Sequence, residues 1–130
     1  IMSIFSKIVS GEILSYKIYE DSNHLAFLDI FPMSKGHVLV IPKKEIDYIF
    51  DMNDREYAQL LLFAKKISLA IKKVINCKRV SLNIVGFDVP HVHIHLIPLN
   101  SISDLNFEKQ KLTFSEEEFK EIAASIREAI

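Results

Sequence analysis

The run His91-Val92-His93-Ile94-His95-Leu96-Ile97-Pro98 constrains this chain more than any other feature, because histidines and apolar residues alternate with a period of two. A strand sends successive side chains to opposite faces. The pattern therefore predicts a strand with His91, His93 and His95 on one side and Val92, Ile94 and Leu96 buried on the other. Same-face neighbours then lie roughly 6–7 Å apart. At that spacing one imidazole can act on a substrate atom while its neighbours handle protons or hold charge. Histidine suits such work, since an ordinary pKa of about 6.5 makes both the neutral nucleophile and the proton donor available near neutrality.

The remaining patterns predict a mixed fold. A short helical turn over residues 4–9 is closed by Gly11, and strand-like runs at 16–20 and 25–29 flank Asp21-Ser22-Asn23 as a hairpin. Pro32 and Gly36 punctuate a loop before a strand at 37–41, which Pro42 ends. Over 54–75, apolar residues recur as Tyr57, Leu60, Leu61, Ala64, Ile67, Ala70, Ile71 and Val74, the spacing of a helix with one buried face, and Asn53 with Glu56 forms its capping start. A strand at 79–85 and a tight loop at 86–90 lead into the histidine strand, and this short connection predicts antiparallel pairing. Ser115 and Glu118 open a last helix through Phe119, Ile122, Ala123 and Ile126. It reads as a packing helix that covers sheet or a subunit edge, with a part in substrate specificity as the alternative.

Composition excludes several classes of function. At 130 residues, 49% apolar, the chain is expected to be one domain with a real core, not a disordered segment. Sixteen basic and seventeen acidic residues leave a net charge of −1, so there is no polyelectrolyte reason to bind nucleic acid or an anionic membrane. Phosphate recognition must be local. Cys77 is the sole cysteine and cannot form an intrachain disulfide; it reads as a small buried hydrophobe, with a redox or interface thiol as the alternative. No leader or membrane span is evident, so a cytoplasmic location is expected, and Ile1 ahead of Met2 is set aside as a processing remnant.

The triad with Pro98 resembles the His-x-His-x-His-apolar-apolar motif of the histidine-triad (HIT) superfamily, in its Hint-like branch and among bacterial-type HIT hydrolases. Further blocks carry the likeness: Ile4-Phe5-Ser6-Lys7-Ile8-Val9, Gly11-Glu12-Ile13, Tyr19-Glu20-Asp21, Ala26-Phe27-Leu28-Asp29-Ile30, Pro32 and Gly36-His37-Val38-Leu39-Val40-Ile41-Pro42-Lys43-Lys44. The likeness implies an α+β HIT fold: an antiparallel sheet of about five strands with one long helix and a C-terminal helix. It spans a core over residues 3–99, with 100–130 as a helical extension of a single HIT domain.

The resemblance also implies roles. His93 would attack the α-phosphorus of a nucleotide and form a nucleotidyl-imidazole that water cleaves. His95 would stabilise the phosphoryl oxygens, and His91 would orient His93 through its second nitrogen or its backbone carbonyl. His37 matches the upstream family histidine that supports the site, although a strand histidine can also be structural. Asp29 would accept ribose hydroxyls, with Phe27 and Ile30 at the base. Asn83 could correspond to a family asparagine near ribose and phosphate, an alignment the shortened loop leaves open. The implied activity is hydrolysis of purine nucleoside phosphoramidates or related AMP or GMP conjugates by a homodimer, with no cofactor. The alternatives are hydrolysis of dinucleoside polyphosphates and a nucleotide-binding module without turnover.

The chain departs from the family at two places. Many relatives carry Gly-Gln-Ser/Thr before the triad, with side chains that donate to the α-phosphate; here Gly86-Phe87-Asp88-Val89-Pro90 occupies that run. Phe87 cannot donate, and an Asp88 carboxylate only accepts. Asp88 is expected either to face an amine-bearing leaving group or to be a solvated loop residue, with Val89 beside it at the nucleotide. Some relatives also hold a structural zinc through an N-terminal Cys-x-x-Cys and later histidines. Ser3 and Ser6 stand at the cysteine positions and Glu45 at a histidine position, so no structural zinc is expected. A catalytic metal enzyme is a rival reading of strand-borne histidines, but three glycines and a long helix argue against a compact all-β barrel.

Overall fold

The computed structural model describes residues 2–130; Ile1 lies outside them. A five-stranded antiparallel sheet, β1 (Lys17–Glu20), β2 (His24–Leu28), β3 (Val38–Pro42), β4 (Arg79–Asn83) and β5 (Ile94–Leu99), has the order β1-β2-β3-β5-β4. Three α-helices accompany it: α1 (Ile4–Ser10), α2 (Asp54–Val74) and α3 (Glu116–Glu128). This is the α+β architecture the sequence predicts.

Local chemistry accounts for the helix ends. Ser3 caps α1 by accepting from the Ser6 N–H, and Gly11 ends it in the left-handed region at φ 87°. Asn53 accepts from the Glu56 N–H at the start of α2, and Ser115 and Glu118 close a reciprocal capping box on α3. Gly36 answers to two demands: its φ is 90°, and an added Cβ would lie 2.8 Å from Ile75 Cγ1.

The sheet's two faces are covered unequally. On one, α2 and α3 join the strands in the main core, where Leu60, Ile67, Ile71, Ile94, Leu96 and Ile126 are fully enclosed. The other face carries a smaller cluster, in which Phe5 and Ile8 of α1 pack on Leu25, Phe27, Leu39 and Ile41. α3 is thus a packing helix of the main core, anchored also by Arg127, whose Nε donates to the Ile18 carbonyl at 3.3 Å.

Three expectations shift. The histidine strand begins at Ile94, not His91, because β4 ends at Asn83 opposite His95 and the pairing with β3 ends at Val40 opposite Ile94. Val92 instead donates its N–H to the Ile46 carbonyl at 2.7 Å. The alternation survives: Val92, Ile94 and Leu96 are buried in the main core. β4 also stops two residues short of the predicted end at residue 85. On α2, Val74 is exposed, and the buried stripe includes Phe63, which packs on Tyr19 and His24. Val74 is the last residue of the helix, and Ile75, just past it, takes the enclosed position in the core.

Candidate active site

A cavity of about 360 Å³ opens on the α1 side of the sheet, within the usual range for small-molecule sites. Its apolar wall comes from Phe5 and Ile8 of α1, Phe27 of β2 and Leu39 of β3. Its polar wall comes from His93, His95, His37, Asp29 and Asp88. Ile30 and Val89 complete the predicted residues that line it.

Hydrogen-bond partners assign the proton on each imidazole. His93 Nδ1 lies 2.7 Å from the His91 carbonyl, an acceptor, so that nitrogen carries the proton and the neutral ring keeps its lone pair on Nε2. His91 is fully enclosed behind this contact. Its Nε2 lies 2.8 Å from the Pro42 carbonyl and must donate, leaving Nδ1 to accept from the Ser3 hydroxyl at 2.7 Å. Burial holds His91 below the ordinary histidine pKa.

A second chain of bonds sets His95. The Met33 N–H donates to His37 Nδ1 at 3.1 Å, so the His37 proton sits on Nε2, 2.9 Å from His95 Nδ1. His95 therefore accepts there and carries its own proton on Nε2. Burial pushes His37 down to about 3, helped by the Lys111 charge, and pushes His95 down to about 4, helped by the neighbouring His37 and His93. Both rings are neutral at pH 7. The His93 and His95 rings are 5.1 Å apart, so a lone pair and an N–H are presented side by side.

Asp29 follows β2 directly. One of its carboxylate oxygens accepts the Phe31 N–H at 2.8 Å, and the other lies 3.5 Å from His37 Nε2. Oxygen lone pairs remain for a ligand hydroxyl.

Two predicted residues do not reach the cavity. His91 is walled off behind His93, where it can act only through it. Asn83 lies opposite His95 on β4, but its amide donates to the Ser81 hydroxyl at 2.9 Å and it does not line the cavity. The sequence reading missed Phe107 and Lys111, which line the cavity from the segment before α3. No spacing pattern links that segment to the triad. It missed Phe5 and Ile8 as wall residues too, although their place on one face of a short helix was a usable signal.

The residues at the zinc positions do not fit a zinc ion. Glu45 accepts the Ser3 N–H at 2.6 Å and the Ser6 hydroxyl at 2.7 Å, while Ser3 Oγ is shared between the Ser6 N–H and His91 Nδ1. These bonds lower the Glu45 carboxyl to about 2. Neutral hydroxyls are poor zinc donors, and here they already hold His91 in place. Asp29, His37 and His95 also converge, with one ligand atom from each within 4.8 Å of the others. Yet both His37 nitrogens are engaged, by Met33 N–H and by His95, so this cluster is built as a hydrogen-bonded relay.

Comparison with known proteins gives a single answer. The HIT domain model matches residues 10–102. An uncharacterized HIT-like protein of Borreliella burgdorferi is 39% identical over 131 aligned residues, covering 95% of this chain and 94% of that protein. An adenosine 5'-monophosphoramidase of Schizosaccharomyces pombe is 43% identical over 96 residues, covering 73% of this chain and 72% of that protein. A Hit-like protein involved in cell-cycle regulation from Bartonella henselae matches in structure with a TM-score of 0.85 at 30% identity, covering 98% of this chain and 96% of that one.

Proposed function

Because this chain belongs to the HIT family, we propose that it hydrolyses purine nucleoside phosphoramidates or related mononucleotide conjugates at the α-phosphorus. The observation that carries this reading is the complementary protonation of two adjacent imidazoles: His93 with its lone pair on Nε2, His95 with its proton there. His93 Nε2 forms a bond to phosphorus while the bond from phosphorus to the leaving amine breaks, and the amine takes a proton from solvent as it departs. Water then cleaves the nucleotidyl-imidazole, which releases the nucleoside monophosphate and regenerates His93. His95 donates to a phosphoryl oxygen through Nε2–H, and the neutral His37 ring that donates to its Nδ1 keeps that donor fixed. The relative named as a phosphoramidase in Schizosaccharomyces pombe supports this substrate class.

Phe27 and Ile30 would hold the base and Asp29 the ribose, while Asp88 at the rim would favour an amine-bearing leaving group over a phosphate. Asp88→Asn should then lower the rate ratio between amine-leaving and phosphate-leaving substrates; an unchanged ratio refutes that role. A homodimer is part of the same reading: β4 is an edge strand with Leu82 exposed.

The test compares the protein with His93→Ala on adenosine phosphoramidate and a diadenosine polyphosphate, with AMP release followed by chromatography. Release from the phosphoramidate should fall by at least about a thousandfold in the variant, while AMP still binds. Preferential cleavage of the polyphosphate would move the substrate class, and AMP binding without turnover of either would identify a binding module. Activity that is lost to a chelator and restored by a divalent metal would overturn the metal-free reading.

A further inference from the structure

A cavity that takes a phosphoryl group must offset its charge, and the predicted lining residues do not. Asp29 and Asp88 are carboxylates, and the His37 and His95 rings beside them, joined by a hydrogen bond of 2.9 Å, are neutral. The loop at 86–90 adds no side-chain donor, and Phe87 points into solvent. Among the described lining residues, the one ammonium belongs to Lys111.

Lys111 reaches the cavity from the irregular segment that precedes α3, and that segment is tied to the site on both sides. On one side, the Phe107 ring meets His95 edge-on, with centroids 5.2 Å apart and planes at 82°. On the other, the Leu112 N–H donates to the Pro32 carbonyl at 2.9 Å, in the loop between Asp29 and His37. Between them, Lys111 Nζ donates to the Phe107 carbonyl at 2.7 Å. An ammonium has three N–H donors, so two remain for a ligand. The side chain is half-buried, which leaves its charge open to the cavity but less screened than on a free surface.

We propose that Lys111, tethered to Phe107 over His95, binds the non-bridging phosphoryl oxygens of the substrate and replaces the donors that Phe87 and Asp88 cannot supply. A compact point charge on a flexible stem suits a phosphoryl group, and charge-assisted bonds exceed neutral ones in strength. Phosphate recognition thereby depends on Phe107 and Lys111, in a segment outside the triad. The inference rests on the nucleotide reading above.

The test measures binding of AMP and of adenosine by calorimetry to the full chain and to Lys111→Gln and Lys111→Arg. Lys111→Gln should weaken AMP about tenfold and leave adenosine within twofold, and Lys111→Arg should recover most of the loss. The AMP difference should shrink as salt is raised. Unchanged AMP affinity in Lys111→Gln, or equal losses for AMP and adenosine, overturns the role of Lys111; phosphoramidate turnover by the unaltered protein would still uphold the nucleotide reading. Failure of the unaltered protein to bind either ligand overturns both.

Discussion

On one face of the sheet, α2 and α3 cover the strands with interlocking aliphatic side chains. On the other, α1 covers only part of the surface, and the uncovered part is the cavity. The same strands serve both faces, one residue out of phase: Ile94 and Leu96 fill the core while His93 and His95 line the cavity. The comparison teaches that the first face depends on volume and the second on direction. Aliphatic packing tolerates any arrangement that fills space, whereas each imidazole must present a particular nitrogen, and its backbone or side-chain partners decide which.

Stability should therefore be lost most on the filled face. Ile67→Ala removes a fully buried side chain from α2 and should cost about 2–5 kcal/mol in urea denaturation, with kcat per folded molecule unchanged. A fall in kcat beyond the unfolded fraction would break the division of labour between the faces.

The site face should respond to pH instead. The unfolded chain binds a proton at each histidine near pH 6.5, while His37 and His95 in the folded state resist protonation until about 3 and about 4. Their neutral burial stabilises fully above pH 6.5, and this contribution is lost as pH falls toward those values. The slope approaches about 1.4 kcal/mol per pH unit for each histidine. His37→Asn should flatten the fall in stability between pH 6.5 and 4 by about one proton. Identical slopes in the two proteins would mean that His37 titrates normally.

Direction also matters at Asp29. Asp29→Ala should weaken ribonucleotide binding about tenfold and deoxyribonucleotide binding much less, measured by competition with AMP and its 2'-deoxy form. Equal losses would refute the ribose contact. The smallest effect belongs to Ser15, on the cavity wall, whose enclosed hydroxyl has no hydrogen-bond partner among the described residues. Ser15→Ala should raise stability by about 1 kcal/mol or less; destabilisation would show that the hydroxyl is satisfied in solution.

Periodicity made most of the fold legible, because helices and strands repeat over a few residues and their caps are equally local. Asn53 with Glu56 and Ser115 with Glu118 mark helix starts that the structure contains. It misplaced the start of β5 and the burial of Val74, since pairing and packing partners settle where a pattern stops. For the site, the motif blocks pointed to residues that converge on the cavity, Phe27, Asp29, His37, His93 and His95 among them. Asn83, whose alignment the sequence leaves open, pairs with His95 through its register on β4 and does not line the cavity.

The sequence alone determined which side chains alternate along β5, where the helices start and that imidazoles would cluster, since each follows from neighbours within one or two turns of chain. Only the tertiary structure decided which nitrogen of each imidazole carries the proton. The Ser3 hydroxyl that fixes His91 is 88 residues away in the chain, and His37 approaches His95 from 58 residues away. Lys111 and Phe107 enter the same cavity from a segment without periodicity. Protonation and charge compensation depend on atoms that meet only when the chain folds, and no local pattern records them.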